Sequence, residues 1–382
     1  MPHLRALPDA LADLERSGLL RTPDDHLARA SLRARFGPQF VDLTSNDYLG
    51  LGAVNVSRET LSSAPGAGAS RLIYGSTTEH LELEEELARW VGTEAALLFS
   101  SGYAANVGAL SCLLGPGDVA LSDALNHASL IDGCRLSRAE VRIVPHLDLA
   151  ALERELQSAA AARARWVVVE SYYSMDGDSP DLRALRRLCD RHDAHLYVDE
   201  AHGLGIFGPA GAGLCSEAGI QADVLQGGLG KACGAQGGFI AGSATLRTWL
   251  WNRARSFVYS TAPSPLLAAT TKAQVHRTRA ADDLRARLFG GAQLLRDALR
   301  ELDVPLIPGS HGPIVGVLVG TAEDVLAVAD DLRSQGFLTQ PIRPPTVPPG
   351  SCRLRLTVSA AHTPEALRRT AQAIHQSLEK LR

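Results

Sequence analysis

Between residues 94 and 242 the chain alternates short apolar runs with amphipathic stretches, and few folds accept that pattern. EAALLF (94–99) reads as a strand and YAANVGALSCLL as a helix. DVALS with HASLIDGCRLS, EVRIV with LAALERELQSAAAA, and WVVVE with DLRALRRLCDRH repeat the pair. AHLYVDE adds a strand, and ADVLQ and GGFIAG form two more on either side of a glycine-rich turn. Strands this apolar need cover on both faces. The alternation therefore predicts an α/β fold with a mainly parallel central sheet covered by helices. In such sheets, binding sites form at the carboxyl ends of the strands.

The flanks read differently. Residues 1–45 form a short N-terminal helical arm, SNDYLG (45–50) a turn and SSAPGAGAS (62–70) a loop. In HLELEEELARWVG, Leu83, Leu87, Trp90 and Val91 share one helical face. Glu79, Glu82, Glu84, Glu85 and Glu86 gather toward the start of that helix, where carboxylates suit its dipole. Past residue 263 come long Ala/Leu/Arg helices, then IVGVLVG, a helix over 322–335 and RLRLTVS, which together predict a smaller α+β unit. The expected division is an arm at 1–45, a large domain at 46–262 and a small C-terminal domain at 263–382.

Composition narrows the function. A chain of 382 residues with 45% hydrophobic content can bury a large core. Its net charge of −4 lacks the basic excess of a dedicated nucleic-acid binder. No apolar run approaches the ~20 residues of a membrane helix. MPHLRALPDALADLERSGLL carries Pro, Asp and Glu where a signal peptide has a basic start and an apolar stretch. The six cysteines (Cys112, Cys134, Cys189, Cys215, Cys233, Cys352) form no CxxC pair, which argues against a metal site. Scattered thiols fit a reducing compartment, and a cytoplasmic location is expected.

Only three of the 38 basic residues are lysines: Lys231, Lys272 and Lys380. A genome rich in Arg codons explains the bias, yet a lysine that survives it can be chemically required. Arginine stays protonated, whereas lysine can serve as a nucleophilic amine. Lys231 sits in GGLGKACG (227–234), directly after an expected strand. VDEAHG puts Asp199 at a strand end with His202 three residues on. ESYYSMDGD places Ser174 after WVVVE, SSGYAAN joins a strand to a helix, and NHASL opens a helix at His127. Taken singly, Asp199 could be a helix cap, His127 a surface residue and GGLGKACG an ordinary turn. Together they supply a deprotonatable lysine, a carboxylate and a helix N-terminus. Those are the groups that pyridoxal phosphate requires, for an imine link, for the pyridine nitrogen and for the phosphate.

SNDYLG, GASRLIYGSTTEHLELEEELA, LLFSSGYAAN, HASL, SMDGD, VDEAHGLGIFG, LGKACG, VYSTAPSP and IRPPTVPPGSCRLRLTVSAAHT occur in order along nearly the whole chain. On these runs the sequence resembles the α-oxoamine synthases, fold-type I pyridoxal-phosphate enzymes. GASRLIYGSTTEH and IRPPTVP…RLRLTVSAAH resemble the branch that condenses L-alanine with pimeloyl-CoA or the pimeloyl acyl-carrier-protein conjugate. The resemblance implies that Lys231 holds the cofactor and moves the Cα proton, Asp199 pairs with the pyridine nitrogen and His127 stacks on the ring. It implies that Ser174 and His202 bond the phenolic oxygen and that the Gly102 and Tyr103 backbone meets the phosphate. Arg21, Asn46, Arg343, Thr346 and Arg355 match substrate-binding positions, with Arg343 or Arg355 suited to a carboxylate. Alternatively, Arg355 is an ordinary residue of a half-exposed strand, because RLRLTVS alternates as such a strand does. The family is typically a homodimer, with VYSTAPSP contributing across the interface. A sister synthase using glycine, serine or another thioester is the near rival, and a non-catalytic pyridoxal-phosphate-binding protein the distant one.

The chain departs from the family in one place. A hydroxyl residue, commonly Thr, usually stands three positions before the lysine, where this chain has Gly228, and Gly230 stands where Ser is frequent. The absent hydroxyl removes a phosphate hydrogen bond of about 1.5–3 kcal/mol, for which water or a partner subunit's hydroxyl, Thr261 being a candidate, could compensate. On this reading Gly228→Thr should tighten cofactor binding. The stretch before GAGAS is also short, with little room for the family's helix.

Overall fold

The computed structural model describes residues 4–17, 19–20, 24–54, 57, 60–344, 346–348 and 350–381. The chain opens with α1 (Leu7–Arg16), α2 (Asp24–Phe36) and the short β1 (Val41–Asp42). Next come α3 (Thr78–Val91), β2 (Ala95–Phe99), α4 (Gly102–Leu113), β3 (Val119–Asp123), α5 (Ala128–Ser137), β4 (Glu140–Val144) and α6 (Leu149–Ser158). β5 (Arg165–Glu170), α7 (Leu182–Arg191), β6 (His195–Asp199), α8 (Leu214–Ala218), β7 (Val224–Gly228) and β8 (Gly238–Gly242) complete the alternation. The helices α9 (Ala244–Arg253), α10 (Arg255–Val258), α11 (Pro265–Arg279) and α12 (Asp282–Glu301) follow. β9 (Ile314–Gly320), α13 (Ala322–Ser334), β10 (Phe337–Leu338), β11 (Gln340–Ile342), β12 (Cys352–Thr357) and α14 (Pro364–Glu379) end the chain. Between β1 and α3, among the described residues, a 3-10 turn forms at Thr60–Ser62.

Side-chain caps start many of the helices. Ser101, Asp148, Asp181, Ser243, Ser264, Thr321 and Thr363 each accept a backbone N–H from the first turn of the helix that follows. Such caps satisfy donors that the helix itself cannot.

The structure divides into two compact units: Asn46–Ser174 with Asp178–Arg287, and Met1–Ser45 with Met175–Gly177 and Leu288–Arg382. This differs from the expected boundary at 262/263. α11 packs on α3, which places it in the larger unit, and the division falls inside α12. Nor does the N-terminal arm stand apart. β1 pairs in parallel with β10, and Thr357 N donates to Leu43 O at 2.8 Å.

The larger unit carries a seven-stranded sheet in the order β2-β8-β7-β6-β5-β3-β4. All its neighbours run parallel except β8, which is antiparallel to both β2 and β7. The core lies where Leu97, Phe99, Leu110, Leu130, Trp166 and Tyr197 pack together with Phe257. Behind it sits a buried ion cluster. Glu84 accepts from Arg71 and Arg247 at 2.9 Å each and from Leu98 N at 3.0 Å. The Arg71 guanidinium also lies over Trp251 and Phe257, 5.4 and 5.6 Å from the ring centroids. Glu84 and Glu86 are thus buried ion-pair partners in mid-helix rather than dipole ornaments at its start.

In the smaller unit, β11, β12 and β9 form an antiparallel sheet. All six residues of β12 are buried, so RLRLTVS is not the half-exposed strand that its alternation suggests. Among the described residues no helix is long and apolar enough to cross a membrane, and no cluster could hold a metal ion.

Candidate active site

Five sequence elements of the larger unit meet at one cavity of about 350 Å³, at the carboxyl ends of β5, β6 and β7. It is lined by Gly102, Tyr103, Asn106, His127, Glu170, Asp199, His202, Gln226, Gly228 and Lys231, among others. Parallel strands point their carboxyl ends one way, so residues far apart in sequence arrive together.

Asp199 ends β6 and is 5% exposed. Its two oxygens are satisfied separately. Asn106 Nδ2 donates to Oδ2 at 2.7 Å and Ala201 N donates to Oδ1 at 2.8 Å. Asn106 is itself fixed, accepting from Tyr197 Oη at 2.7 Å and donating to Ser129 Oγ at 2.9 Å. This network sets the carboxylate in one orientation before any ligand arrives.

Lys231 lies in the turn between β7 and β8. Backbone bonds close the turn: Leu229 N to Gly237 O and Ala235 N to Leu229 O at 3.0 Å, and Gly234 N to Lys231 O at 2.9 Å. Gly234 and Gly237 have φ of +59° and +114°, which a side chain would strain. A Cβ at Gly238 would lie 2.5 Å from Gly102 N, so glycine there lets the hairpin seat against the first turn of α4. That turn leaves the Gly102 and Tyr103 N–H groups without intrahelical acceptors, and both residues line the cavity.

His127 precedes α5, and its ring faces the Tyr103 ring edge-on with centroids 6.5 Å apart. Nδ1 contacts Ser129 Oγ at 2.8 Å. Desolvation by the surrounding walls lowers its pKa below the ordinary imidazole value, partly offset by Asp199 and reinforced by Lys231. The ring is therefore neutral at pH 7 and free to lie against an aromatic cofactor. His202 is buried, and its Nδ1 sits 2.7 Å from Tyr48 Oη.

The cavity thus gathers Lys231, Asp199, His127, His202, Gly102 and Tyr103. Ser174 is half-buried nearby in sequence to β5 but is not part of the lining. Asn46 is half-buried, its carbonyl accepting from Tyr48 N at 2.8 Å. Thr261 is exposed and bridges to Ser70. Arg343, Thr346 and Arg355 belong to the smaller unit, where Thr346 N donates to Arg343 O at 3.1 Å and Arg355 donates to Thr357 Oγ1 at 2.9 Å. Arg21 lies outside the described residues.

Four residues escaped the sequence reading: Asn106, Glu170, Tyr48 and Gln226. Asn106 and Glu170 stood inside quoted motifs, SSGYAAN and ESYYSMDGD, yet nothing in either run tells a buried network residue from a loop or strand terminus. Gln226 is fully buried, and its Oε1 has no partner among the described residues.

The structure corrects the expectation for Gly228. A Cβ there would lie 2.9 Å from Ala201 Cβ and 3.2 Å from its Cα, neither of which can swing aside. A Cβ at Gly230 meets only Ala235 O, at 3.7 Å. Gly228→Thr should therefore cost about 1–3 kcal/mol of stability through overpacking and leave cofactor binding no tighter. Gly230→Ser should fold normally. Urea denaturation and quenching of intrinsic fluorescence by pyridoxal phosphate would check both, and a tighter-binding, fully stable Gly228→Thr protein would contradict this.

Residues 38–374 match the family described as aminotransferase class I and II, and the chain belongs to that family. Its fold is that of a fold-type I transferase. The 8-amino-7-oxononanoate synthase of Aromatoleum aromaticum is 42% identical over 374 residues, 96% of either chain. That of Anaeromyxobacter dehalogenans is 45% identical over 85% of this chain and 83% of its own. Among solved structures, Sphingomonas wittichii serine palmitoyltransferase superposes with a TM-score of 0.86 at 30% identity, covering 89% of this chain and 88% of that one. The 8-amino-7-oxononanoate synthase of Francisella tularensis gives 0.78 at 25% identity, covering 90% and 98%.

Proposed function

We propose that the chain performs the 8-amino-7-oxononanoate synthase reaction of biotin biosynthesis. It is a pyridoxal-phosphate-dependent acyltransferase that condenses L-alanine with a pimeloyl thioester, releasing carbon dioxide and the free thiol. One observation carries this reading: a lysine amine, a network-held carboxylate and the N-terminal turn of a helix converge on one cavity. The donor set fits the cofactor chemically. Gln226 Oε1 adds a buried acceptor that has no protein donor among the described residues.

Pyridoxal phosphate, when bound, supplies an electron sink for the carbanion formed at the alanine Cα. The protein does the rest. Lys231 Nζ would hold the cofactor and would take the Cα proton of the amino acid. Asp199, locked by Asn106 and Ala201 N, would pair with the pyridine nitrogen. Gly102 and Tyr103 N–H, at the positive end of α4, would hold the phosphate. His127 would stack on the ring, and His202, beside Tyr48, would bond the phenolic oxygen with Ser174. The Cα carbon bonds to the thioester carbonyl carbon as the thiolate leaves, the former alanine carboxylate departs as carbon dioxide, and a proton returned to Cα takes up the electron pair it leaves.

Arg21, Asn46, Arg343, Thr346 and Arg355 are assigned to the substrates, with Arg343 or Arg355 binding the amino-acid carboxylate. The donor is pimeloyl-CoA or pimeloyl-acyl-carrier protein. We assign a cytoplasmic homodimer, in which exposed Ile73, Tyr74 and Tyr259 would be covered and Thr261 would reach the partner's phosphate site.

The test is mass spectrometry of products from the purified protein with pyridoxal phosphate, L-alanine and pimeloyl-CoA, then pimeloyl-acyl-carrier protein. Accumulation of 8-amino-7-oxononanoate is expected. Cofactor binding without this product, but with turnover of glycine or serine and another thioester, would reassign the substrate.

A further inference from the structure

Glu170 is the one acid in the cavity wall to which nothing above gives a task. It ends β5, is 2% exposed, and stands directly across the strand pair from Asp199. In a parallel pair, registered residues share a face and lie one strand spacing apart, about 4.8 Å. Two carboxylates on registered positions of adjacent strands, in a buried site, cannot both be ionised cheaply. The hydrogen bonds distinguish them. Asp199 receives a donor on each oxygen, whereas the one protein donor to Glu170 among the described residues is the His127 backbone N–H, at 2.6 Å to Oε1.

We propose that Glu170 is a positioning residue that carries a proton at the working pH, leaving Asp199 the single anion of the pair and holding His127 in place through its backbone N–H. The electrostatics agree. Burial pushes the Glu170 carboxyl up to about 8, and the Asp199 charge adds to this. Lys231 and the His127 N–H act the other way. The remaining charged neighbour is Asp123, at the end of β3, whose carboxylate is tied to His146 at 2.8 Å. Tyr173, buried after β5, is kept a neutral phenol by burial and the charge of Asp123. As pH rises through about 8, a second negative charge would appear beside Asp199 and favour the protonated form of whatever base faces the pair.

The test has an arm that needs no cofactor. A carboxyl whose folded pKa is raised contributes stability that is complete below its unfolded value, about 4.3. That contribution is lost as pH climbs through the folded value, about 8. The urea midpoint of the apoprotein should therefore fall, relative to Glu170→Gln, between about pH 5 and pH 8 and run parallel to it above. Parallel curves throughout would overturn the proposal. The second arm rests on the proposed function. Absorbance titration of bound pyridoxal phosphate should show a component near pH 8 that Glu170→Gln lacks, and identical titrations would overturn the effect on the cofactor. Should the variant not fold, carbon-13 carboxyl resonances of glutamate-labelled wild-type protein give the answer. One glutamate should titrate near pH 8 and shift on adding pyridoxal phosphate. Absence of a cofactor-sensitive glutamate titrating above pH 6 would refute the assignment. Failure of the product assay alone would leave the apoprotein arm standing, so the two readings fail separately.

Discussion

Lys231→Ala should lose turnover by about 10⁴-fold or more while keeping the wild-type urea midpoint. The catalytic loss is large because no other amine can substitute. Lys272 pairs with Glu82 at 2.6 Å and Lys380 pairs with Asp331 at 2.8 Å, and neither lines the cavity. Arginine cannot shed its proton, so Lys231→Arg should be as inactive as the alanine variant. The fold should survive because the Lys231 turn is closed by backbone bonds that a side-chain truncation leaves in place. Single-turnover product measurement alongside urea denaturation would check both halves. Activity within tenfold of wild type would remove Lys231 from its assigned role.

Glu84→Gln should give the largest loss of stability, about 3–5 kcal/mol. The wild-type carboxylate, 3% exposed, serves two guanidiniums and a strand amide at once. Glutamine can still accept from Leu98 N but leaves Arg71, itself 3% exposed, as a buried cation without a counter-charge. The aromatic faces of Trp251 and Phe257 offset part of that cost, about 1–2 kcal/mol. Glu84 lies outside the cavity lining, so cofactor affinity of the folded variant should be unchanged. A loss below 1 kcal/mol in urea titration would mean that solvent, not Glu84, balances Arg71.

What could be read from the sequence follows from the range of the forces involved. Strands and helices between residues 94 and 242 were legible because periodicity is local, and their observed bounds differ from the expected ones by few residues. The domain boundary was not, because α12 is one uninterrupted helix and its pattern carries no mark at Leu288. In the site, Lys231 and Asp199 could be found from residue chemistry beside strand ends. Asn106 could not, since its partners Asp199 and Tyr197 lie 93 and 91 residues away. Glu170 looked like the last letter of WVVVE, and only the β5–β6 register shows which acid it faces. Glu84 was misread for the same reason. Arg71 and Arg247 approach it from 13 residues before and 163 residues after, and a run of five glutamates in a helix looks solvated until they do. The Gly228 expectation failed because a resemblance transfers residue types but not the local spacing to Ala201.

The antiparallel β8 has a mechanical consequence. It makes the Lys231 turn a hairpin anchored at both ends to the middle of a sheet, not a lid on a hinge. In the proposed reaction the amine occupies at least two stations, while the backbone of the turn is held at both ends. The whole stroke is supplied by the four-carbon stem of one side chain. The protein is then a fixed bearing with a short crank, whose throw is set by the length of lysine itself. A shorter amine built at position 231, such as ornithine introduced chemically, should hold the cofactor yet stall in mid-cycle.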